Sequence, residues 1–181
     1  MKFLTRPGRA KKRLWQVCLH EAAHGLACSY LLNIPSTCRV FHRGGYCQQL
    51  RSSSASAAPA AHTAYIAAGR IAESLPHVAG CNQIPAGRPR FGRGRFRRRV
   101  HRLANDTKQV ATIIQSSELL KDPDIADLCK PKWEQTAETF VLCRRKLIVE
   151  IAIKLYLTGT VYVPAKSESN CDWAADYVAG R

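Results

Sequence analysis

The chain has 181 residues and a net charge of +15, from 28 Lys and Arg against 13 Asp and Glu. That length suits one domain that can bury a core without cross-links, and a hydrophobic content of 46% excludes a chain disordered throughout. The most apolar stretch, Leu147 to Val163, is interrupted by Glu150 and Lys154, so nothing reaches the roughly 18 uncharged apolar residues of a membrane span, and Met1 to Arg13 has no apolar run behind its basic residues and does not read as a secretory signal.

The charge is concentrated in two places. Residues 1–13 hold Lys2, Arg6, Arg9, Lys11, Lys12 and Arg13 and no acid. Residues 88–102 hold eight arginines, Arg88, Arg90, Arg93, Arg95, Arg97, Arg98, Arg99 and Arg102, again with no acid. Elsewhere 14 basic residues face 13 acidic ones. A nearly neutral body with two basic segments argues against a surface built throughout for nucleic acid.

In chain order, residues 1–13 read as a flexible basic tail. From Leu14 to Leu32 apolar residues are dense and no proline intervenes before Pro35, which predicts one long, buried helix. Thr37 to His42 and Tyr46 to Leu50 read as two short strands around a Gly44-Gly45 turn. Ser52 to Ala58 reads as a loop, and a helix follows from Pro59 to Leu75. Residues 76–102, with four Gly, three Pro and the arginine cluster, read as an Arg/Gly-rich loop. Helical spacing returns over 103–120 through Val110, Ile113, Ile114 and Leu120, and Asp122-Pro123-Asp124 breaks it. A long helix is expected from Trp133 to Tyr156, with Phe140, Leu147, Ile151 and Leu155 inward and Lys146, Glu150 and Lys154 as an exposed ladder. Thr158-Gly159 should end it, and Val161 to Val163 reads as a short extended piece. The expected fold is mainly α, with a domain over 14–163, a small β-hairpin after the first helix, and a C-terminal tail over 164–181.

Eight cysteines, Cys18, Cys28, Cys38, Cys47, Cys81, Cys129, Cys143 and Cys171, include no C-x-x-C pair. This excludes the spacing of a zinc ribbon or a thioredoxin motif. Without an export signal, the cysteines read as mostly buried free thiols in a cytoplasmic protein.

The chemistry lies in His20-Glu21-Ala22-Ala23-His24, an H-E-x-x-H motif inside the first predicted helix. Residues i and i+4 share one helix face, so two imidazoles can converge on one metal ion. Glu21 projects near that face and can take a proton from a metal-activated water, then pass it to a leaving amine. Burying two histidines and a glutamate among apolar residues is costly unless they find partners, and a zinc ion would be one. Catalytic zinc normally takes a third protein ligand. The extended signature H-E-x-x-H-x-x-G-x-x-H would require Gly and His where the chain has Ala27 and Tyr30. The third ligand must therefore come from elsewhere, with Asp106, Glu73, Glu118, His42, His62, His77 and His101 as candidates.

Four blocks, in order, resemble the zinc peptidase domain of the FtsH-type AAA proteases. His20-Glu21-Ala22-Ala23-His24 resembles that family's H-E-A-G-H. Val40 to Leu50 is similar to its strand pair around an R-G turn. Ala68-Gly69-Arg70-Ile71-Ala72-Glu73 resembles G-G-R-x-A-E, and Ala104-Asn105-Asp106 to Thr112 resembles its S-N-D segment. A weaker likeness to the closing helix runs from Cys143 to Gly159, so coverage is about residues 14–160. The resemblance implies a helical zinc-peptidase fold, a zinc cofactor held by His20, His24 and Asp106, and Glu21 as general base and then acid. Asp106 also suits the start of the predicted helix, where an N-cap is the plainer role for Asp106 or Asn105. Glu73 is the second candidate ligand, and an orienting or structural carboxylate is its favoured role. Gly69 is expected to allow close helix packing at the site.

The chain departs from that family at Ala23, where Gly is usual, and contains no G-x-x-x-x-G-K-[ST] ATPase motif. The expected activity is therefore a zinc-dependent endopeptidase that is ATP-independent on its own, acting on polypeptide substrate, with a separate ATPase or adaptor and an oligomer left open as partners. The run Phe91 to Arg99 pairs arginines with two aromatics and could neutralise phosphates and stack on bases. The alternative reading is an inactive peptidase-fold protein that binds a partner or nucleic acid through this loop.

Overall fold

A computed structural model describes residues 9–41, 44–50, 59–75, 84–85 and 135–168. The helix read over 103–120, nearly all of the Arg-rich loop, Asp106, and the tail beyond residue 168 lie outside the described residues. Within them the fold is mostly helical, with a small antiparallel sheet.

The first helix, α1 (Arg9–Leu31), is the centre of the molecule. It contains no proline and is buried without interruption from Cys18 to Ser29. Such a helix must be covered on every side. It packs against α2 (Pro59–Ala72), α3 (Arg145–Thr158) and all three strands. Arg9 to Arg13, expected in the basic tail, already belong to α1. The helix ends where Asn33 turns left-handed at φ 53°, a conformation asparagine tolerates well. The amides of Leu32 and Ile34 then both donate to the Cys28 carbonyl, and Pro35 prevents continuation.

Strands β1 (Ser36–Phe41), β2 (Gly44–Gln49) and β3 (Thr160–Val163) form one sheet in the order β2-β1-β3. The expected two-stranded hairpin is thus part of a three-stranded sheet, because the extended piece after α3 pairs with β1 from Ser36↔Val163 to Arg39↔Thr160. The turn expected at Gly44-Gly45 is displaced: Phe41 pairs with Gly44, and both glycines are strand residues. Along β1, Ser36, Cys38 and Val40 face inward, the period-2 pattern of a strand with one covered face.

The C-terminal helix was expected as one element from Trp133. Instead, the helical residues 135–143 and α3 meet at Arg144, which leaves helical geometry at φ −105°, ψ 12°. The Arg144 guanidinium lies 4.7 Å over the Tyr30 ring of α1, a cation–π contact at the break. Ile148, Ile151, Ala152, Leu155 and Tyr156 are buried at helical spacing, so Ile148 takes the fully buried place expected of Leu147. Lys146 and Lys154 are exposed and Glu150 is half-buried. As expected, Thr158 closes the helix, and Gly159 caps it at φ 79° with its amide on the Leu155 carbonyl. Residues 164–168, expected in a tail, fold back on α1: the Ser167 amide donates to Asn33 Oδ1 at 2.9 Å, and Ala165 is buried.

Helix α1 presses closest to the sheet at Gly25. A Cβ there would lie 2.5 Å from Cys38 Sγ and 3.1 Å from Val163 Cγ2. Gly25→Ala therefore forces helix and sheet apart, and overpacking of this kind costs about 1–3 kcal/mol. Thermal unfolding of the variant should begin several degrees lower; an unchanged midpoint would contradict this packing.

Candidate metal centre

The H-E-x-x-H motif occupies the buried middle of α1. His20, Glu21 and His24 are 8%, 5% and 7% exposed, so all three polar side chains are nearly withdrawn from water. Helical spacing places the two imidazoles on one face, with ring centroids 4.6 Å apart. Their Nε2 atoms approach to 3.0 Å.

The outer nitrogens explain this orientation. His24 Nδ1 lies 3.1 Å from the Tyr65 carbonyl of α2. A carbonyl only accepts, so Nδ1 carries the proton and Nε2 the lone pair. His20 Nδ1 lies 2.7 Å from Glu73 Oε1, just after α2. There too the carboxylate accepts, and Nε2 is left with its lone pair. Two lone pairs pointed at one another over 3.0 Å repel unless a cation bridges them, either a shared proton or a metal ion. Holding Nδ1 on a carboxylate or a carbonyl is how proteins orient metal-binding histidines.

Helix α2 supplies the roof. At Gly69 a Cβ would stand 2.5 Å from His24 Nε2 and 2.9 Å from His20 Nε2. Only a residue without a side chain lets the α2 backbone come this close to both nitrogens. The sequence reading of Gly69 as a close-packing residue is thus made specific: what it packs against is the imidazole pair. Gly45 does the same for Glu21, where a Cβ would lie 2.6 Å from Cγ and 2.8 Å from Oε1. The start of β2 therefore lies directly against the Glu21 side chain.

These residues fit a metal ion at the donor level. Two imidazole nitrogens 3.0 Å apart can both lie about 2.0–2.1 Å from one zinc ion. Among the described residues no third His, Cys, Asp or Glu joins them in a metal-holding group. Glu73 reaches His20 from its outer nitrogen, the place of an orienting carboxylate rather than a ligand. Asp106, His42, His77, His101 and Glu118 lie outside the described residues, as does the His62 side chain. The Tyr65 carbonyl and Gly45 were not singled out from sequence. A backbone carbonyl leaves no signature in residue type, and Gly45 was legible only as a turn glycine.

No family model and no curated relative matches the chain. Among the described residues no helix is long and apolar enough to cross a membrane.

Nitrogen NMR of the labelled chain should report protonated Nδ1 atoms on both His20 and His24. Glu73→Ala should shift the His20 ring signals and leave those of His24, whose partner is a backbone carbonyl. A His20 spectrum unmoved by Glu73→Ala would contradict the assignment.

Proposed function

We propose that the chain is a zinc-dependent endopeptidase of the FtsH-type peptidase class, with zinc on His20, His24 and Asp106. The observation that carries the reading is the convergence of the two Nε2 atoms to 3.0 Å, with a separate partner on each Nδ1 and a glycine, Gly69, opposite both rings. A structural histidine pair needs neither that convergence nor a glycine opposite both nitrogens. The ordered blocks through Ala68 to Glu73 and Ala104 to Thr112 support the same reading and bring Asp106 as the third ligand.

The ion, when bound, supplies Lewis acidity, which polarises the scissile carbonyl and lowers the pKa of the attacking water. The protein residues do the rest. Glu73 and the Tyr65 carbonyl hold both imidazoles in the ligating tautomer. Glu21 takes the proton as the water oxygen bonds to the peptide carbon. It returns that proton to the amide nitrogen as the C–N bond breaks, so the products are a carboxylate and an amine. Gly45 lets the backbone of β2 lie against Glu21, which restricts the carboxylate to few rotamers. Burial around α1 excludes bulk water and strengthens each of these interactions.

The substrate class is polypeptide, and the reducing cytoplasm is the compartment that fits the free thiols of Cys18, Cys28, Cys38 and Cys47. The two basic segments read as capture sites for acidic substrate or for an acidic partner face.

The test combines metal analysis with cleavage of casein. The purified chain should hold one zinc per molecule, and Glu21→Gln should keep the zinc while losing about 10²–10⁴-fold in cleavage rate. Asp106→Ala and Gly69→Ala should each weaken zinc binding at least tenfold, the first by removing a ligand and the second by filling its place. A zinc-free chain, or cleavage unchanged in Glu21→Gln, would overturn the proposal.

A further inference from the structure

A second reactive cluster lies where the sheet meets α1. Cys38 of β1 and Cys47 of β2 are cross-strand partners, with their sulfurs 3.5 Å apart. The sequence offers no hint of the pair, since eight residues separate them and no C-x-x-C spacing occurs.

The ladder geometry makes this position suited to a disulfide. The Leu50 amide donates to the Pro35 carbonyl at 2.9 Å. Hydrogen-bonded pairs alternate along an antiparallel ladder, so Thr37↔Gln48 and Arg39↔Tyr46 are hydrogen-bonded and Cys38↔Cys47 is not. On the other edge of β1, the Val40 amide donates to the Gly159 carbonyl at 2.8 Å, which agrees with that alternation. At a non-hydrogen-bonded pair the Cα atoms lie about 4.5 Å apart and the side chains stand closest. That separation is within the range a disulfide spans, about 4.4–6.8 Å.

The two sulfurs are not equivalent. Cys38 is fully buried against Gly25, and its one thiol proton is shared between two acceptors, the Glu21 carbonyl at 3.2 Å and the Cys47 sulfur at 3.5 Å. Cys47 is partly exposed. Cys47 is therefore the outer residue of the pair, with Cys38 behind it. The hydrogen bond from Cys38 holds the Cys47 thiol below its ordinary range, whereas burial pushes the neighbouring Cys28 thiol up to about 12.

We infer that Cys38 and Cys47 form a peroxide-reactive dithiol, with Cys47 the attacked sulfur and Cys38 the resolving one. In the first step the Cys47 sulfur bonds to one peroxide oxygen as the O–O bond breaks, and the departing hydroxide takes up a proton to become water. Cys47 is left as a sulfenic acid. In the second step the Cys38 sulfur attacks the Cys47 sulfur. The S–O bond breaks, and the Cys38 thiol proton leaves with the hydroxide as a second water. Two thiols and one hydrogen peroxide give one disulfide and two waters, and a dithiol reductant reverses the change by thiol–disulfide exchange. Forming the bond consumes the thiol proton that Cys38 offers to the Glu21 carbonyl, so the redox state of the sheet touches the helix that carries the H-E-x-x-H motif. The dithiol chemistry does not depend on the peptidase reading.

The experiment treats the reduced, full-length chain with stoichiometric hydrogen peroxide, alkylates the remaining thiols under denaturing conditions, and maps the peptides by mass spectrometry. The expected result is a Cys38–Cys47 cross-linked peptide two hydrogens lighter than the sum of its thiol forms. Cys18 and Cys28 should be recovered alkylated, and the link should vanish after reduction. Cys38→Ser should stop Cys47 at the sulfenic acid, trapped by dimedone. Because the wild-type map stands alone, a misfolded variant does not blunt the test. Recovery of both cysteines as alkylated thiols, or a disulfide from Cys47 to any other cysteine, would overturn the inference.

Discussion

Everything in this structure is arranged around two imidazole nitrogens held 3.0 Å apart inside an apolar helix. Buried polar groups without partners are expensive. Like-facing lone pairs add repulsion to that cost. The chain meets the cost on the outer side of each ring, with Glu73 on His20 and the Tyr65 carbonyl on His24. On the inner side the two Nε2 atoms meet each other at 3.0 Å. Because Cys18 to Ser29 are buried without a break, the site depends on its packing.

That constraint explains why glycines recur wherever another element meets the motif. Gly25 lets α1 lie against the sheet, Gly45 lets β2 lie against Glu21, and Gly69 lets α2 lie over both histidines. Each replaces a side chain with close approach of backbone. Together they place helix and sheet around a single point. The same compression brings Cys38 under Gly25 and its sulfur to the Glu21 carbonyl. Thiol pair and imidazole pair thus occupy opposite ends of one short path through α1.

Much of this was legible in residue order. Dense apolar residues from Leu14 and the stop before Pro35 marked the central helix, although its start lies at Arg9, in residues whose charge suggested a tail. The H-E-x-x-H spacing marked the two histidines, and Ala68 to Glu73 marked both the glycine over them and the carboxylate behind His20. What was not legible depends on backbone register. Gly44 and Gly45 look like a turn because glycine permits one, whereas here the second is demanded by contact with Glu21. β3 joins β1 through a pairing more than a hundred residues distant in sequence. The Tyr65 carbonyl and the Cys38–Cys47 pair follow from where helices and strands meet, which residue spacing does not encode. Nor did helical periodicity reveal the departure at Arg144, which stays hydrogen-bonded to Phe140 and Ile148 on either side.

X-ray absorption at the zinc edge of the metal-loaded chain tests the central claim most directly, because it reports donor atoms and not merely occupancy. Two imidazole nitrogens completed by oxygen are expected, all within about 2.0–2.2 Å of the ion. A sulfur shell near about 2.3 Å would move the metal to the cysteines of the sheet. That result, or a spectrum without imidazole scattering, would contradict a metal centre built on His20 and His24.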